Sequence, residues 1–241
     1  MSAPNLTVSA ASSAELFSQL RSTDITVPLV TEGRKKEHRE QYMMARFLAT
    51  TARAGRVTFP LDLVHREKPD FLLRFGSAEI GVECVEAVPE ELYEIEILRE
   101  KHYPEAMNFG QMFLPGERAF NWDQKHQIAS GNRAGPPWMP KSARRNWIAA
   151  MEYFVRRKTE KLREGNYASN TTTWLLIQDE WPTSLGFYPQ QLREAAAELA
   201  CALTPLLSAP SFQAIFIASN GQLLCFESGQ MKVEEIFDLW N

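Results

Sequence analysis

KPDFLLRFGSAEIGVECVEAV, residues 68–88, decides the fold. Two apolar runs, residues 71–75 and 80–88, are broken by Gly76-Ser77. Gly and Ser between apolar runs mark a tight turn, so the stretch reads as a β-hairpin. Strand alternation puts Val82, Cys84 and Glu86 on one face of the second strand and Gly81, Glu83 and Val85 on the other. Asp70 opens the first strand, and Glu83 sits inside the second among Val, Ile and Cys. A carboxylate in such surroundings is costly to bury unless it is paired or holds a metal. Two carboxylates brought together by a hairpin suit a hard divalent cation such as Mg²⁺.

The run resembles the core of the PD-(D/E)xK nuclease-like superfamily, which includes many restriction endonucleases. There, Pro-Asp sits at one strand and Glu-x-Lys on the next. Pro69-Asp70 and Glu83-Cys84-Val85 match in type, order and spacing, with Val85 in the place of the lysine. The resemblance implies a restriction-endonuclease-like fold, an α/β domain whose mixed β-sheet is flanked by helices. It also implies Mg²⁺ or Mn²⁺ at Asp70 and Glu83, and phosphodiester hydrolysis of nucleic acid, DNA before RNA. In that superfamily a helix before the core hairpin often gives another acidic residue to the metal, a part open here to Glu37 or Glu40. Some members are thought to supply the lysine from the following helix when the Glu-x-Lys position is apolar.

Lysines in a following helix are present. Residues 141–164 read as a long helix that Ser142 can cap, with an apolar stripe at Ile148, Met151, Val155 and Leu162. Position 158, which belongs to that series, is Lys158. A lysine there either snorkels to the surface or points at the hairpin carboxylates. Lys161, one turn on, is the second candidate. Between Arg133 and Arg163 nine Lys or Arg face only Glu152 and Glu160. This segment, with Lys141, Arg144 and Arg145 as its candidate nucleic-acid contacts, either tracks phosphates or pairs with the protein's own glutamates. Those are dense in residues 83–105, where eight Glu meet Arg99 and Lys101 and would repel duplex phosphate.

The whole chain narrows the classes. Its 241 residues suit one large domain, expected over residues 31–241, with residues 1–30 as a tail and short helix. A net charge of −4 and a pI near 5.7 carry no global basic signature. Cys84, Cys201 and Cys225 lack CxxC spacing, which argues against a disulfide framework or zinc site and fits a reducing cytoplasm. The first residues have no basic group and no long apolar run, so no signal peptide is read there. No apolar stretch is long enough to predict a membrane span. His38, His65, His102 and His126 follow no ligand spacing, and no phosphate-binding glycine motif occurs.

In order along the chain, residues 1–12 are Ser/Ala-rich and read as disordered, followed by a short helix over 13–21 capped by Ser12 or Ser13. Residues 31–54 predict a stronger helix with Thr31 as N-cap and a stripe at Met44, Phe47, Leu48 and Thr51. Its charged start, residues 34–40, reads equally as a solvated face. Residues 57–64 are extended around Pro60, and Pro89 ends the second hairpin strand before an acidic helix. Residues 103–140 are irregular and aromatic, with Phe109-Gly110, Phe113, Pro115-Gly116, Phe120, Trp122, Gly131, Gly135, Pro136-Pro137 and Trp138. They read as an insertion that packs on the core or a second subunit, or as a substrate-facing lid. TTTWLLIQ, residues 171–178, predicts a buried strand parallel to its neighbour, with Asp179-Glu180 at its carboxyl end and a loop at Pro182 and Gly186. A helix over 189–207, a hairpin around Asn220-Gly221 and a terminal helix or tail over 233–240 complete the chain.

The expected activity is metal-dependent phosphodiester hydrolysis. The alternative is a catalytically degenerate member of the same fold that binds nucleic acid or a protein partner, a second copy included. Val85 and the acidic pI support that alternative.

Overall fold

The computed structural model describes residues 5–106, 113–116, 120–133, 140–165, 172–183, 189–207 and 211–240. Phe109-Gly110, Gly135, Pro136-Pro137, Trp138, Thr171 and Gly186 lie outside them. Eight strands form one mixed sheet in sequence order: β1 Val8–Ala10, β2 Leu61–His65, β3 Phe71–Phe75, β4 Ala78–Ala87, β5 Thr172–Asp179, β6 Ala214–Ser219, β7 Gln222–Glu227 and β8 Gln230–Glu235. β5 runs parallel to both β4 and β6, and every other pairing is antiparallel. The two crossovers that make β5 parallel, residues 88–171 and 180–213, both carry helices, as a parallel pair requires.

Side-chain alternation sorts the sheet's apolar residues into two cores. Val82, Cys84, Trp174 and Phe216 face α1 (Ser13–Arg21) and α2 (Lys36–Arg53). Val85, Ala87, Leu175, Ile177 and Ile217 face α3 (Leu92–His102), α4 (Trp122–Ala129), α5 (Pro140–Glu164) and α6 (Pro189–Leu203). The result is a helix–sheet–helix sandwich with a mixed sheet at its centre. No helix among the described residues is long and apolar enough to cross a membrane.

Several local expectations are corrected. Residues 8–10 are an edge strand, because Leu6, Val8 and Ala10 alternate inward within the Ser/Ala-rich run. Thr31 caps no long helix. It lies in a 3-10 turn that Gly33 ends at φ +88°, and α2 begins only at Lys36, where the His38 Nδ1 accepts the Lys35 N–H. The α5 helix starts at Pro140, so Ser142 is inside it. Pro suits a first helical position because its missing N–H is not needed there. Of residues 233–240, the first three belong to β8 and 236–240 follow as an irregular tail without a helix; Ser228 and Gly229, at φ +49° and +74°, make a second tight turn after the one at Asn220-Gly221. Within residues 103–140 the described parts add α4, packed on α3, and no strand of the sheet.

Gly81 has a specific packing reason. A Cβ there would lie 2.7 Å from Pro69 Cγ, so the Pro69 ring is seated directly on the glycine. That contact fixes Asp70, the next residue. Gly81→Ala is expected to destabilise the protein by about 1–3 kcal/mol through overpacking. Urea denaturation would measure it.

Candidate functional site

β3 pairs with β4 only as far as Phe71 opposite Val82. From Glu83 onward β4 keeps β5 on one side and, among the described residues, has no strand on the other. The Asp70 carboxylate fills the first vacancy, with its Oδ2 accepting the Cys84 N–H at 2.7 Å. Asp70 and Glu83 are buried, 3% and 5% exposed. They lie on adjacent steps of the backbone: Asp70 is bonded at Cys84, the residue after Glu83.

Each carboxylate is met by a lysine from a different layer. Lys158 of α5 places Nζ 3.0 Å from Glu83 Oε2. Lys36, at the start of α2, places Nζ 2.7 Å from Asp70 Oδ1 and also contacts Glu40 Oε1. The Lys36 side chain is 68% exposed while its carboxylate partners are 4–6% exposed, so its stem crosses solvent and its ammonium turns inward. Burial acts to lower the Lys36 pKa, yet Asp70 and Glu40 outweigh it and hold the ammonium above its ordinary value. Burial, and then the Asp70 charge, raise the Glu40 carboxyl. The Cys84 thiol is pushed well up by burial and by Asp70 and Glu40, so it is not a nucleophile.

Of the two helix-borne acids read from the sequence, Glu40 joins the cluster. Its Oε2 lies 3.2 Å from His65 Nε2 and its Oε1 makes the ionic contact with Lys36 but no aligned hydrogen bond. Glu37 is half-buried and, among the described residues, forms no ion pair with these groups. His65, which follows no ligand spacing in the sequence, reaches Glu40 from 25 positions away.

A cavity of about 410 Å³ opens over this edge of β4, lined by Lys36, Glu40, Met43, Cys84, Val85 and Lys158 among others. Asp70 and Glu83 stand behind that lining, each covered by its lysine. The two carboxylates therefore do not both open into the cavity in this arrangement. Arg34, Lys35 and Arg39 form the mouth, where Arg34 pairs with Glu96 and Arg39 with Glu86.

The remaining candidates lie elsewhere or at the margin. Lys161 is exposed and lines an adjoining cavity of about 260 Å³ together with Val85, Arg157 and Lys158. Lys141 and Arg145 are exposed at the far end of α5, and Arg144 is held by Glu194 and Glu198 of α6. At a helical rise of about 1.5 Å per residue, Arg145 is about 20 Å from Lys158. Besides Lys158, the cations at the cavity are the ones near the start of α2, a run that reads in sequence equally as a solvated face.

Asp179, at the carboxyl end of β5, does not enter the cavity. Its Oδ2 accepts from Trp147 Nε1 at 2.7 Å and Ser219 Oγ at 2.6 Å, and its Oδ1 from the Trp181 N–H at 3.1 Å. It ties α5 to β5 and β6. Burial outweighs these three donors and raises its pKa to about 6. A carboxyl whose folded pKa exceeds its unfolded value stabilises most when protonated, so this contribution is full below about pH 4 and is lost as pH rises to about 6. The loss is about 3 kcal/mol at ~1.4 kcal/mol per pKa unit. Stability curves in urea at a series of pH values should show this decline, and Asp179→Asn should flatten it.

As a cation site the donor set is of the right kind. Asp70, Glu83 and Glu40 supply hard carboxylate oxygens, and Glu40 Oε1 is a buried acceptor without a hydrogen bond. Among the described residues no three such side chains surround a common point, because the Lys36 ammonium stands between Asp70 and Glu40. Comparison of the chain with protein-family models, with curated proteins and with solved structures finds no match.

Proposed function

We propose that this protein is a metal-dependent phosphodiester hydrolase of nucleic acid, built on a restriction-endonuclease-like sheet, with β4 as its catalytic strand. The observation that carries the reading is the Lys158 ammonium, 3.0 Å from Glu83 on the edge where Asp70 is bonded to Cys84. Val85 leaves the Glu-x-Lys position apolar, and Lys158 brings a cation to the same edge from α5.

Asp70, Glu83 and Glu40 would hold Mg²⁺ or Mn²⁺, once the exposed Lys36 side chain withdraws. When bound, the ion would lower the pKa of a water and offset charge on the scissile phosphate. The chain's own residues do the remaining work. The Cys84 N–H fixes one oxygen of Asp70, so its second oxygen has one direction available. Lys158, on the rim, offers an ammonium to the phosphate oxygen that gains charge. His65 orients Glu40 through its Nε2. Met43 and Val85 exclude water from one wall, which strengthens each of these interactions.

A second reading has its own observation. Lys36 neutralises Asp70 and Glu40 internally, as a degenerate, partner-binding member of the fold would require. The test is cleavage of plasmid and single-stranded DNA with Mg²⁺ or Mn²⁺. Cleavage by the wild type, lost in Asp70→Asn, supports the hydrolase. No cleavage of either substrate sinks it in favour of the binding module. A control follows from the geometry: Arg145→Ala, about 20 Å away along α5, is expected to leave cleavage unchanged.

A further inference from the structure

We infer that the cleft over β4 accepts an unpaired nucleobase against Tyr93, so that the substrate is a single strand and not a duplex; this rests on the hydrolase reading above. The cavities of about 410 and 260 Å³ share Val85, Glu86, Val88, Tyr93 and Lys158. They form one trough passing over the Lys158–Glu83 pair. Its apolar surfaces are Met43, Val85 and Val88, with Phe154 in the second compartment. Tyr93 projects from the first turn of α3 and is 50% exposed, one of the few large apolar side chains left open to solvent. A half-exposed aromatic ring beside a small apolar slot offers a π-face to a flat ring, and every base has such a face.

Charge defines the rest of the ligand. Lys35 lies at one end of the trough and Lys161 at the other, both exposed and, among the described residues, without an ion pair. An anion on either side of an aromatic group matches a nucleotide flanked by phosphates. The nearby carboxylates are already paired within the protein, Glu94 with Lys125 and Glu90 with Arg157, so the two lysines are the charges left for a ligand. A duplex would first have to unpair and unstack a base to lay it against Tyr93. A single strand has a lower charge density and can turn one base inward without breaking a pair.

The test is fluorescence anisotropy of labelled oligothymidylate and of a mixed-sequence duplex, with chelator present to prevent turnover. Wild type, Tyr93→Phe and Tyr93→Ala are compared, and cleavage is assayed in parallel. Wild type should bind the single strand more tightly than the duplex. Tyr93→Ala should weaken single-strand binding about tenfold, the loss of one stacked base, while Tyr93→Phe leaves it unchanged. Equal affinity for duplex and single strand, or no effect of Tyr93→Ala, would overturn the inference. If the wild type still cleaves DNA in that case, the hydrolase reading stands without it. A wild type that neither binds nor cleaves either substrate overturns both.

Discussion

Lys158→Met is expected to lower cleavage about a hundredfold or more, the usual loss when one preorganised donor to a developing anion is removed. The same substitution should also destabilise the fold. Glu83 is only 7% exposed at its side chain and Lys158 18%, so methionine would leave a buried carboxylate without the ammonium that faces it. Breaking a buried pair costs about 3–5 kcal/mol, and the part-exposure of Lys158 places this case near about 3 kcal/mol. Two measurements separate the effects. Urea melts of Lys158→Met, Glu83→Gln and the double variant form a cycle whose coupling term reports the pair. Cleavage assayed far below each variant's melting temperature reports the chemistry. Retained cleavage in Lys158→Met would remove the catalytic role and pass it to Lys161.

Mn²⁺ or Mg²⁺ should raise the melting temperature of the wild type, and Asp70→Asn should abolish the rise. At a hundredfold excess over Kd, binding to the folded state alone adds about 2.7 kcal/mol. For a chain of this size that is about 5–10 °C. Glu37→Ala, outside the cluster, should keep the full shift. Lys36→Met should enlarge it at low metal concentration, because the resident ammonium no longer competes for Asp70 and Glu40. In metal-free buffer the same variant should melt lower than the wild type, since two buried carboxylates then face each other without a counter-ion. A wild type indifferent to both metals would mean that Lys36 is the permanent partner of this cluster. That result would favour the binding module.

Local pattern determined much of the architecture. The Gly76-Ser77 break made the β3–β4 hairpin legible, and Asn220-Gly221 did the same for β6–β7. TTTWLLIQ read correctly as a central parallel strand, because a strand covered on both faces carries a continuous apolar run. Asp70 and Glu83 stood out as acids in apolar surroundings, and Lys158 as a cation beside an apolar stripe; each is a local anomaly that sequence displays. Met151 and Val155 of that stripe are fully buried and Ile148 and Leu162 pack on the same core, while Trp147, Ala150 and Phe154 widen the buried face and Lys158 flanks it.

The edges of the sheet and the partners of its charges were settled only in three dimensions. β1 has only three residues and β8 is mostly polar, and each completes the sheet by pairing with the backbone of β2 or β7 beside it. Lys36 lies 34 residues from Asp70, and Lys158 lies 75 from Glu83. No spacing rule connects such pairs, so a lysine that neutralises buried carboxylates looks the same in sequence as one on a solvated helix start. Glu40 and Glu37 are the same residue type three positions apart; the rotation of α2 against the sheet turns one inward to His65 and leaves the other half-buried outside the cluster. Pro69 on Gly81 is a packing contact across a hairpin, and it aims the Asp70 that the sequence could only name. Residue identity specified which charges the protein possesses, whereas the register of β3 on β4 and the seating of α2 and α5 decided which of them meet.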